Sequence, residues 1–174
     1  MEALIRREIE FAKAGRKAYL IFKTNSLVDP DLIRMLYEAS QASVKVDLLV
    51  RGICCLHAGI KGLSDQIRVT SIVGRYLEHS RVYYFLNNEK EEIYLSSADL
   101  MTRNLDHRVE LMFPVDDPAH MHYLRYDVLE NYFKDNVRAR IMQPDGSYTC
   151  SKPLNAENFD VQDWLMDIAH QNFR

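Results

Sequence analysis

Two short apolar segments with a helix pattern between them constrain the fold of this chain more than any other feature. The segments are "AYLIFKTN" (residues 18–25) and "VKVDLLVRG" (residues 44–52), and each has the length and composition of a buried strand. Between them, Asp29 stands where a helix N-cap is expected, Pro30 suits a first turn, and apolar residues recur at helical spacing. This succession of strand, helix and strand predicts a βαβ unit whose two strands are parallel.

Polar residues follow the apolar part of both predicted strands. Lys23 and Asn25 come at the end of the first strand, and Arg51 comes directly after the second. Because parallel strands end at the same edge of a sheet, we expect these residues to share one edge, which is where open α/β sheets bind ligands. An arginine at a strand end can also do no more than cap backbone carbonyl groups, so the position of Arg51 alone leaves both interpretations open.

The remainder of the chain adds further strands and helices without a linker or an internal repeat. More strands are predicted in "IRVTSIVG" and "RVELMFPV", and hairpins are predicted around "NNEKE" and "PDG". Helical spacing of apolar residues marks residues 3–12, 120–137 and 155–170. We therefore predict a single α/β domain over residues 1–174 with a mixed, mostly parallel sheet flanked by helices.

Composition and charge limit the compartment and the partners. Of the 174 residues, 47% are hydrophobic and 27% charged, as is usual for soluble globular proteins. The chain has no run of about 18 apolar residues and starts with a charged amphipathic pattern, so we expect no transmembrane segment and no signal peptide. The expected location is cytoplasmic, with peripheral contact at the inner membrane face as a further expectation. A formal net charge of -3 disfavours nucleic acid as a partner, and a polyanion would need a local cationic cluster.

A histidine and an arginine stand two residues apart in "GRYLEHSRVYYF" (residues 74–85). In an extended segment, His79 and Arg81 point to the same side while Ser80 points to the other. An imidazole can take up or release a proton near neutral pH, and a guanidinium can hold two phosphate oxygens at once. The pair predicts a phosphate site, although a histidine beside an arginine can also be an ordinary solvated surface pair.

Further polar residues follow in "YLSSADLMTRNLDHRVE" (residues 94–110), and their order resembles the phospholipase D superfamily. That superfamily carries a His-x-Lys motif, then a turn similar to Gly-Ser-x-Asn, then an arginine and a glutamate. The matching positions here are His79-Ser80-Arg81, Ser96-Ser97-Ala98-Asp99, Arg103 and Glu110. Arg81 stands in place of the lysine, Ser96 in place of the glycine and Asp99 in place of the asparagine.

The resemblance and the chemistry together suggest a role for each of these side chains. We expect Glu110 to accept a hydrogen bond from the far nitrogen of His79 and so to orient it, with Asp99 as a second orienting residue. Ser97 and Arg81 are expected to donate to phosphoryl oxygens, and Arg103 is a further candidate for phosphate binding. Two purely structural roles are the alternatives to these functional ones. Ser97 could simply end a strand, and Glu110 could form an ion pair on the sheet surface.

A narrower resemblance covers nearly the whole chain. Five segments in the right order are similar to the C-terminal part of bacterial polyphosphate kinase, the enzyme family that makes polyphosphate from ATP: "LIRREIEFAKAG", "KTNSLVD", "LYEASQASVKVDLLVRGICCL", "IRVTSIVGRYLEHSRVYYF" and "SSADLMTRNLDHRVE". The resemblance implies a larger enzyme of four domains, with the active site between the last two. Both of those domains have the phospholipase-D-like fold, and each contributes one essential histidine.

The resemblance also implies what this chain lacks. The phosphorylated histidine of the family belongs to the preceding domain, and this chain has no second His-x-Lys or His-x-Arg motif to stand for it. We therefore expect the chain to contribute half of the site for reversible transfer of the terminal phosphate of ATP to polyphosphate, and to be inactive by itself.

Individual residues take their family roles from this resemblance. His79 matches the second essential histidine, a general acid or base, and Arg51 matches an arginine that contacts the nucleotide phosphates. Lys23 and Asn25 match a recurrent Lys-x-Asn whose role does not follow from the sequence. The implied partners are ATP or ADP, polyphosphate, the preceding domains and, for the full-length enzyme, further copies in a homo-oligomer. Mg²⁺ is expected to accompany ATP and not to be held by this domain.

Two other functions stay open at this point. A pair of these chains could form a homodimeric phospholipase-D-like phosphodiesterase, or the chain could be a non-catalytic module that binds polyanions.

Among single residues, Cys54 could act as a nucleophile only if it were exposed with a lowered pKa, and the neighbouring Cys54 and Cys55 are expected to be reduced and buried. His120 and His122 have the spacing of metal ligands but no third ligand near them in sequence.

Overall fold

Eight strands and six α-helices are present in the part of the chain that the computed structural model describes, residues 1–151 and 157–172. The helices are α1 (Glu2–Lys13), α2 (Pro30–Gln41), α3 (Thr102–His107), α4 (Pro118–His122), α5 (Glu130–Lys134) and α6 (Val161–Asn172). A π-helical segment (Tyr123–Leu129) joins α4 to α5. The strands are β1 (Tyr19–Thr24), β2 (Lys45–Val50), β3 (Ile67–Ile72), β4 (Arg81–Phe85), β5 (Glu92–Ser96), β6 (Met112–Pro114), β7 (Ala139–Met142) and β8 (Tyr148–Cys150).

The strands form one mixed sheet in the order β6-β5-β4-β1-β2-β3-β7-β8. The predicted βαβ unit is confirmed, because β1 and β2 are parallel neighbours joined through α2. The prediction of a mostly parallel sheet is wrong: within the described residues, β1–β2 and β2–β3 are the parallel pairs and the other five pairs are antiparallel. Two of these five pairs are the hairpins β4–β5 and β7–β8, since a short turn can join only antiparallel strands.

Alternating side chains on the central strands pack into two separate cores. Leu20 and Phe22 of β1 lie in the core beneath α1 and α2, while Ile21 lies in the core beneath the π-helical segment, α5 and α6. Both cores are therefore covered by helices, which is why β1 and β2 are apolar on both faces. None of the described helices has the length and apolarity that a membrane crossing requires.

Two sequence predictions about single elements need correction. The predicted strand over residues 108–115 is a strand only at Met112–Pro114, and a short helix, α3, precedes it. The last helix begins at Val161 and not at residue 155, because the carboxylate of Asp160 accepts a hydrogen bond from the backbone N–H of Gln162 at 3.0 Å and caps that end. Residues 152–156 lie outside the described part of the chain.

The sheet order brings four chain segments to a single edge. β1 and β2 end there, so Lys23 and Asn25 lie near Arg51, as predicted. β4 runs antiparallel to β1 and therefore begins at this edge, with Val82 opposite Lys23. β5 runs antiparallel to β4 and ends there, where Ser96 pairs with Arg81. The motif residues, although far apart in sequence, thus surround one edge of the sheet.

Candidate functional site

Arg51 directly follows β2, and its guanidinium carries a buried nitrogen without a partner. The atom is Nη1, which makes no hydrogen bond to any residue that the structure describes. The backbone of Arg51 is held in place, because its N–H donates to Thr24 O at 3.3 Å and its carbonyl accepts from Ser71 Oγ at 3.2 Å. A buried charged donor that lacks an acceptor is costly, so this position is suited to an anionic ligand.

Arg51 lines two cavities at this edge of the sheet. The smaller has a volume of about 20 Å³, close to that of one water molecule, and is also lined by Lys23, Asn25 and Glu78. The larger is an open cleft of about 440 Å³ whose other walls come from residues 73–77, including Arg75 and Tyr76. Arg51 is therefore shared by a small pocket and a cleft that is open to solvent.

Lys23 holds the chain on both sides of His79. Its ammonium donates to Ser80 Oγ at 2.7 Å and forms an ion pair with Glu78 Oε2 at 3.4 Å. The same ammonium lies 4.8 Å from the ring centre of Tyr132. Burial lowers the pKa of Lys23, and the pairing with Glu78 opposes that effect. Lys23 is thus a buried anchor of the histidine loop, which is a role that the sequence did not reveal.

His79 is exposed, and its ring lies against the guanidinium of Arg81. Arg81 Nη2 is 3.1 Å from His79 Nε2, Nη1 is 3.4 Å from Nδ1, and Nη1 also donates to the His79 carbonyl at 3.0 Å. The prediction that these two side chains share one side of the chain is confirmed. A neutral imidazole has one acceptor nitrogen, so the Arg81 guanidinium can donate to one of the two ring nitrogens, and the contact fixes the orientation of the ring.

Asp99 occupies the other side of the Arg81 guanidinium. Arg81 Nε and Nη2 donate to the two carboxylate oxygens at 3.1 and 2.9 Å, while Thr24 Oγ1 and the backbone N–H of Asn25 donate to Oδ1 at 2.9 and 2.8 Å. Burial by itself would raise the pKa of Asp99, but these hydrogen bonds outweigh it and lower the pKa to about 2. The hydrogen bonds to Asp99 raise the pKa of Arg81 in turn. Asp99 therefore orients Arg81 and links it to the end of β1.

Glu110 does not contact His79, so the expected hydrogen bond between them is wrong. Its carboxylate accepts from Asn104 Nδ2 at 2.7 Å and from the hydroxyl of Ser97, and these two bonds lower the pKa of Glu110. Ser97 Oγ also accepts from the backbone N–H of Leu111 at 3.0 Å. Ser97 and Glu110 therefore hold the end of β5 to the chain before β6, and Glu110 lines a different cavity, of about 240 Å³.

Other candidates from the sequence lie outside this arrangement. Arg103 is exposed on α3 and makes no hydrogen bond or ion pair with any described residue. Cys54 is half-buried, and burial raises its pKa to about 11, the opposite of what a nucleophile needs. Cys55 is exposed, so the expectation that it is buried is wrong. His120 Nδ1 lies 3.6 Å from Asp117 Oδ1, and the ring of His122 packs on that of Tyr126. In residues 1–151 and 157–172, no three metal-ligating side chains come together.

Sequence reasoning missed two residues that build the site. Glu78 directly precedes His79 and pairs with Lys23, but an acidic residue before a histidine carries no recognisable signal. Thr24 lies between the two residues of the Lys-x-Asn match, and its hydroxyl donates to Asp99. The position of Thr24 at a strand end, between two polar residues, could have indicated from the sequence that it belongs to the site.

The described side chains offer a site for an anion at Arg51, and His79 follows the cleft wall of residues 73–77 by two residues. Arg51 supplies a free donor, Arg75 adds a cation to the cleft wall, and His79 supplies an exposed imidazole on a loop that Lys23 anchors. The guanidinium of Arg81 is hydrogen-bonded to Asp99 and contacts His79, so it orients these side chains and does not offer two free N–H donors to a ligand. This combination can hold phosphate groups and assist proton transfer.

Comparison with known proteins agrees with this chemistry. Residues 1–162 match the family model described as polyphosphate kinase C-terminal domain 2. A polyphosphate kinase of Prochlorococcus marinus is 47% identical over 172 residues, which cover 98% of this chain and 24% of the relative. A polyphosphate kinase of Lactiplantibacillus plantarum is 56% identical over 164 residues, covering 94% of this chain and 23% of the relative. The chain spans about a quarter of the length of these relatives.

Solved structures show the same similarity. The crystal structure of polyphosphate kinase from Porphyromonas gingivalis matches with a TM-score of 0.92 and 39% identity over 98% of this chain and 26% of that one. Nuc from Salmonella typhimurium, a phospholipase D family member, matches with a TM-score of 0.53 and 14% identity over 79% of this chain and 90% of that one, a likeness of fold alone. These similarities favour neither a phosphodiesterase nor a non-catalytic polyanion-binding module.

Proposed function

This chain belongs to the polyphosphate kinase family, of which it forms the C-terminal domain, and from that premise we propose that it supplies half of an active site for phosphate transfer from ATP to polyphosphate. The observation that carries this proposal is Arg51, whose buried Nη1 has no partner in the described part of the chain and whose residue lines an open cleft with residues 73–77, which end two residues before His79. Arg7 and Arg125 also have a buried nitrogen without a partner, but each forms an ion pair with a glutamate, whereas Arg51 forms no ion pair with any described residue.

Arg51 is the phosphate-binding residue in this proposal. A transferred phosphoryl group carries its charge on three oxygens, so cations around it stabilise the transition state. Arg75 extends the cationic wall of the same cleft, where a chain of linked phosphates could continue. Lys23 contributes positive potential from beneath while its ammonium stays bound to Glu78 and Ser80.

His79 is the general acid or base. Its imidazole is exposed and follows the cleft wall of residues 73–77 by two residues, and the contact with Arg81 Nη2 at 3.1 Å orients the ring. In one direction of transfer it would protonate a leaving phosphate oxygen, and in the other it would assist attack by the nucleotide. Such a group contributes about 100-fold to 10,000-fold in rate.

The remaining parts of the reaction lie outside this chain. The phosphohistidine is assigned to the preceding domain, since this chain has no second motif of that type. Mg²⁺ would enter with the nucleotide, because it prefers phosphate oxygens and water. The cytoplasm is the compartment proposed for the reaction, because ATP is the proposed substrate, and assembly into a homo-oligomer stays a prediction.

The proposal is tested by the kinetics of the full-length enzyme. Arg51→Ala should raise KM for ATP or polyphosphate at least about 10-fold, because a charge-assisted hydrogen bond is lost. His79→Ala should lower kcat about 100-fold or more with little change in KM. Arg16→Ala is the matched control, since Arg16 is an exposed arginine at the opposite edge of the sheet. Equal kinetics for all three variants would contradict the proposal.

A further inference from the structure

We propose that Gln162 is a positioning residue, which from α6 holds the loop of residues 73–80 and with it His79. The loop has no helix or strand of its own between Val73 and Ser80, and much of it is exposed. A loop of this kind needs support from elsewhere if its histidine is to keep one position. The inference rests on the proposed function only in its last step, the participation of His79 in the transfer.

The Gln162 amide pairs with one residue of the loop in both directions. Its Oε1 accepts from the backbone N–H of Tyr76 at 2.9 Å, and its Nε2 donates to the backbone carbonyl of Tyr76 at 2.9 Å. The Gln162 side chain is buried. Its amide forms the same pair of hydrogen bonds with the backbone of Tyr76 that a neighbouring β-strand would form. Two hydrogen bonds to one backbone unit fix its orientation as well as its position.

Gly74 makes room for this contact. A Cβ atom built on Gly74 would lie 2.3 Å from Oε1 and 2.6 Å from Cδ of Gln162, too close for both atoms to stay in place. The neighbour in the way is the end of a flexible side chain, so an alanine here would push the amide away from Tyr76 and leave the fold intact. Gly74→Ala should therefore break the same contact as a substitution of Gln162 itself.

The contact continues from Gln162 to the residues next to His79. Gln162 Nε2 also donates to Glu78 Oε1 at 3.0 Å, and Glu78 Oε2 forms the ion pair with Lys23. Lys23 in turn binds Ser80. His79 is thus held between two residues that are tied to β1, and one of them is tied to α6 as well.

The start of α6 is itself fixed to the sheet. Asp135 is fully buried, and its Oδ2 accepts from the backbone N–H of Val161 at 2.9 Å. Its Oδ1 accepts from the backbone N–H of Ala139, the first residue of β7, at 3.0 Å. Gln162 therefore extends from a rigid position, as a positioning residue requires.

The test compares Gln162→Ala, Gly74→Ala and the double variant in the full-length enzyme, with Gln171→Ala as the matched control. Gln171 is an exposed glutamine on the same helix. One measurement is hydrogen exchange at the amides of residues 73–80, above all Tyr76. The other is steady-state kinetics, with KM and kcat determined separately, together with a thermal unfolding midpoint for each variant.

We expect both single variants to speed exchange in the loop and to lower kcat about 10-fold to 100-fold with KM nearly unchanged, because a small displacement of a catalytic group costs rate more than binding. The double variant should resemble either single one, since both remove one contact. Unchanged kcat with faster exchange, additive losses, or a loss of kcat with unchanged exchange would each overturn the inference. A wild-type enzyme without turnover would count against the proposed function, whereas the exchange measurement still decides whether Gln162 holds the loop.

Discussion

Arg81 and Asp99 form a two-pronged ion pair, in which Nε donates to Oδ1 at 3.1 Å and Nη2 donates to Oδ2 at 2.9 Å. Both side chains are only 11% exposed. These are also two of the positions at which the chain departs from the phospholipase D pattern, with arginine for lysine and aspartate for asparagine. An ammonium group is a single point charge and could not make this planar double contact. The two departures are therefore physically coupled.

Asp99→Asn should lower the free energy of unfolding at pH 7 by about 2 kcal/mol, because Arg81 would lose its buried counter-ion. The pKa of Asp99 is lowered from 3.8 to about 2 in the folded state. Its contribution is thus complete above about pH 4 and is lost as the pH falls towards 2. Urea unfolding measured between pH 7 and pH 3 should show that the difference in free energy of unfolding between Asp99→Asn and wild type becomes smaller as the pH falls. Asp31→Asn, at an exposed pair, is the control, and a difference that is constant with pH would contradict the expectation.

The coupling between the two positions can be measured in a double-mutant cycle. Arg81→Lys should destabilise the chain, because one of the two bonds to Asp99 and the support of the His79 carbonyl are lost. The double variant Arg81→Lys with Asp99→Asn should be more stable than the sum of the single effects predicts, by about 1 kcal/mol. Denaturant midpoints of the four proteins give this term, and strict additivity would show that the two departures are independent.

Lys23→Met should lower kcat of the full-length enzyme about 10-fold or more, because Glu78 and Ser80 lose their common anchor and His79 loses its position. Burial lowers the pKa of Lys23, so the unfolded chain holds more protons than the folded one between that pKa and 10.5. The stability of wild type relative to Lys23→Met should therefore rise with pH over this interval. Lys17→Met, an exposed lysine at the opposite edge, should change neither kcat nor the pH dependence.

Asp135→Asn should cost about 2 to 3 kcal/mol of stability, because an amide nitrogen cannot accept the hydrogen bonds that the buried carboxylate accepts. Its Oδ1 accepts from the backbone N–H groups of Val137, Arg138 and Ala139, and its Oδ2 accepts from that of Val161. Chemical denaturation measures the loss of stability. Hydrogen exchange should show α6 opening before the central strands, and a uniform increase of exchange would contradict this assignment.

The isolated chain should bind long-chain polyphosphate without synthesising it, because the proposed function assigns the phosphohistidine to another domain. Calorimetric titration at two salt concentrations should show weaker binding at the higher salt, since exposed charges are screened. Arg51→Ala should abolish this binding, while His79→Ala should leave it nearly unchanged. Synthesis of polyphosphate by the pure chain would refute the assignment of half a site, and the absence of binding at both salt concentrations would mean that the groove forms only between domains.

The sequence by itself determined the parts of the site that depend on local order. The βαβ pattern required Lys23, Asn25 and Arg51 to meet at one edge, because parallel strands joined by one helix end together. The two-residue spacing placed His79 and Arg81 on one side of an extended chain. Five segments of family resemblance identified the domain, and the structural and sequence comparisons agree with them.

Tertiary structure decided which polar groups are partners. Glu110 matches the family pattern yet binds Ser97 and Asn104, and Asp99 binds Thr24, which is 75 positions away. Gln162 binds Tyr76, which is 86 positions away in the sequence, and the sequence around neither residue predicts this contact. Backbone periodicity is a property of neighbouring residues, whereas the partner of a buried charge or amide depends on which distant segments the completed sheet and its helices bring within hydrogen-bond distance.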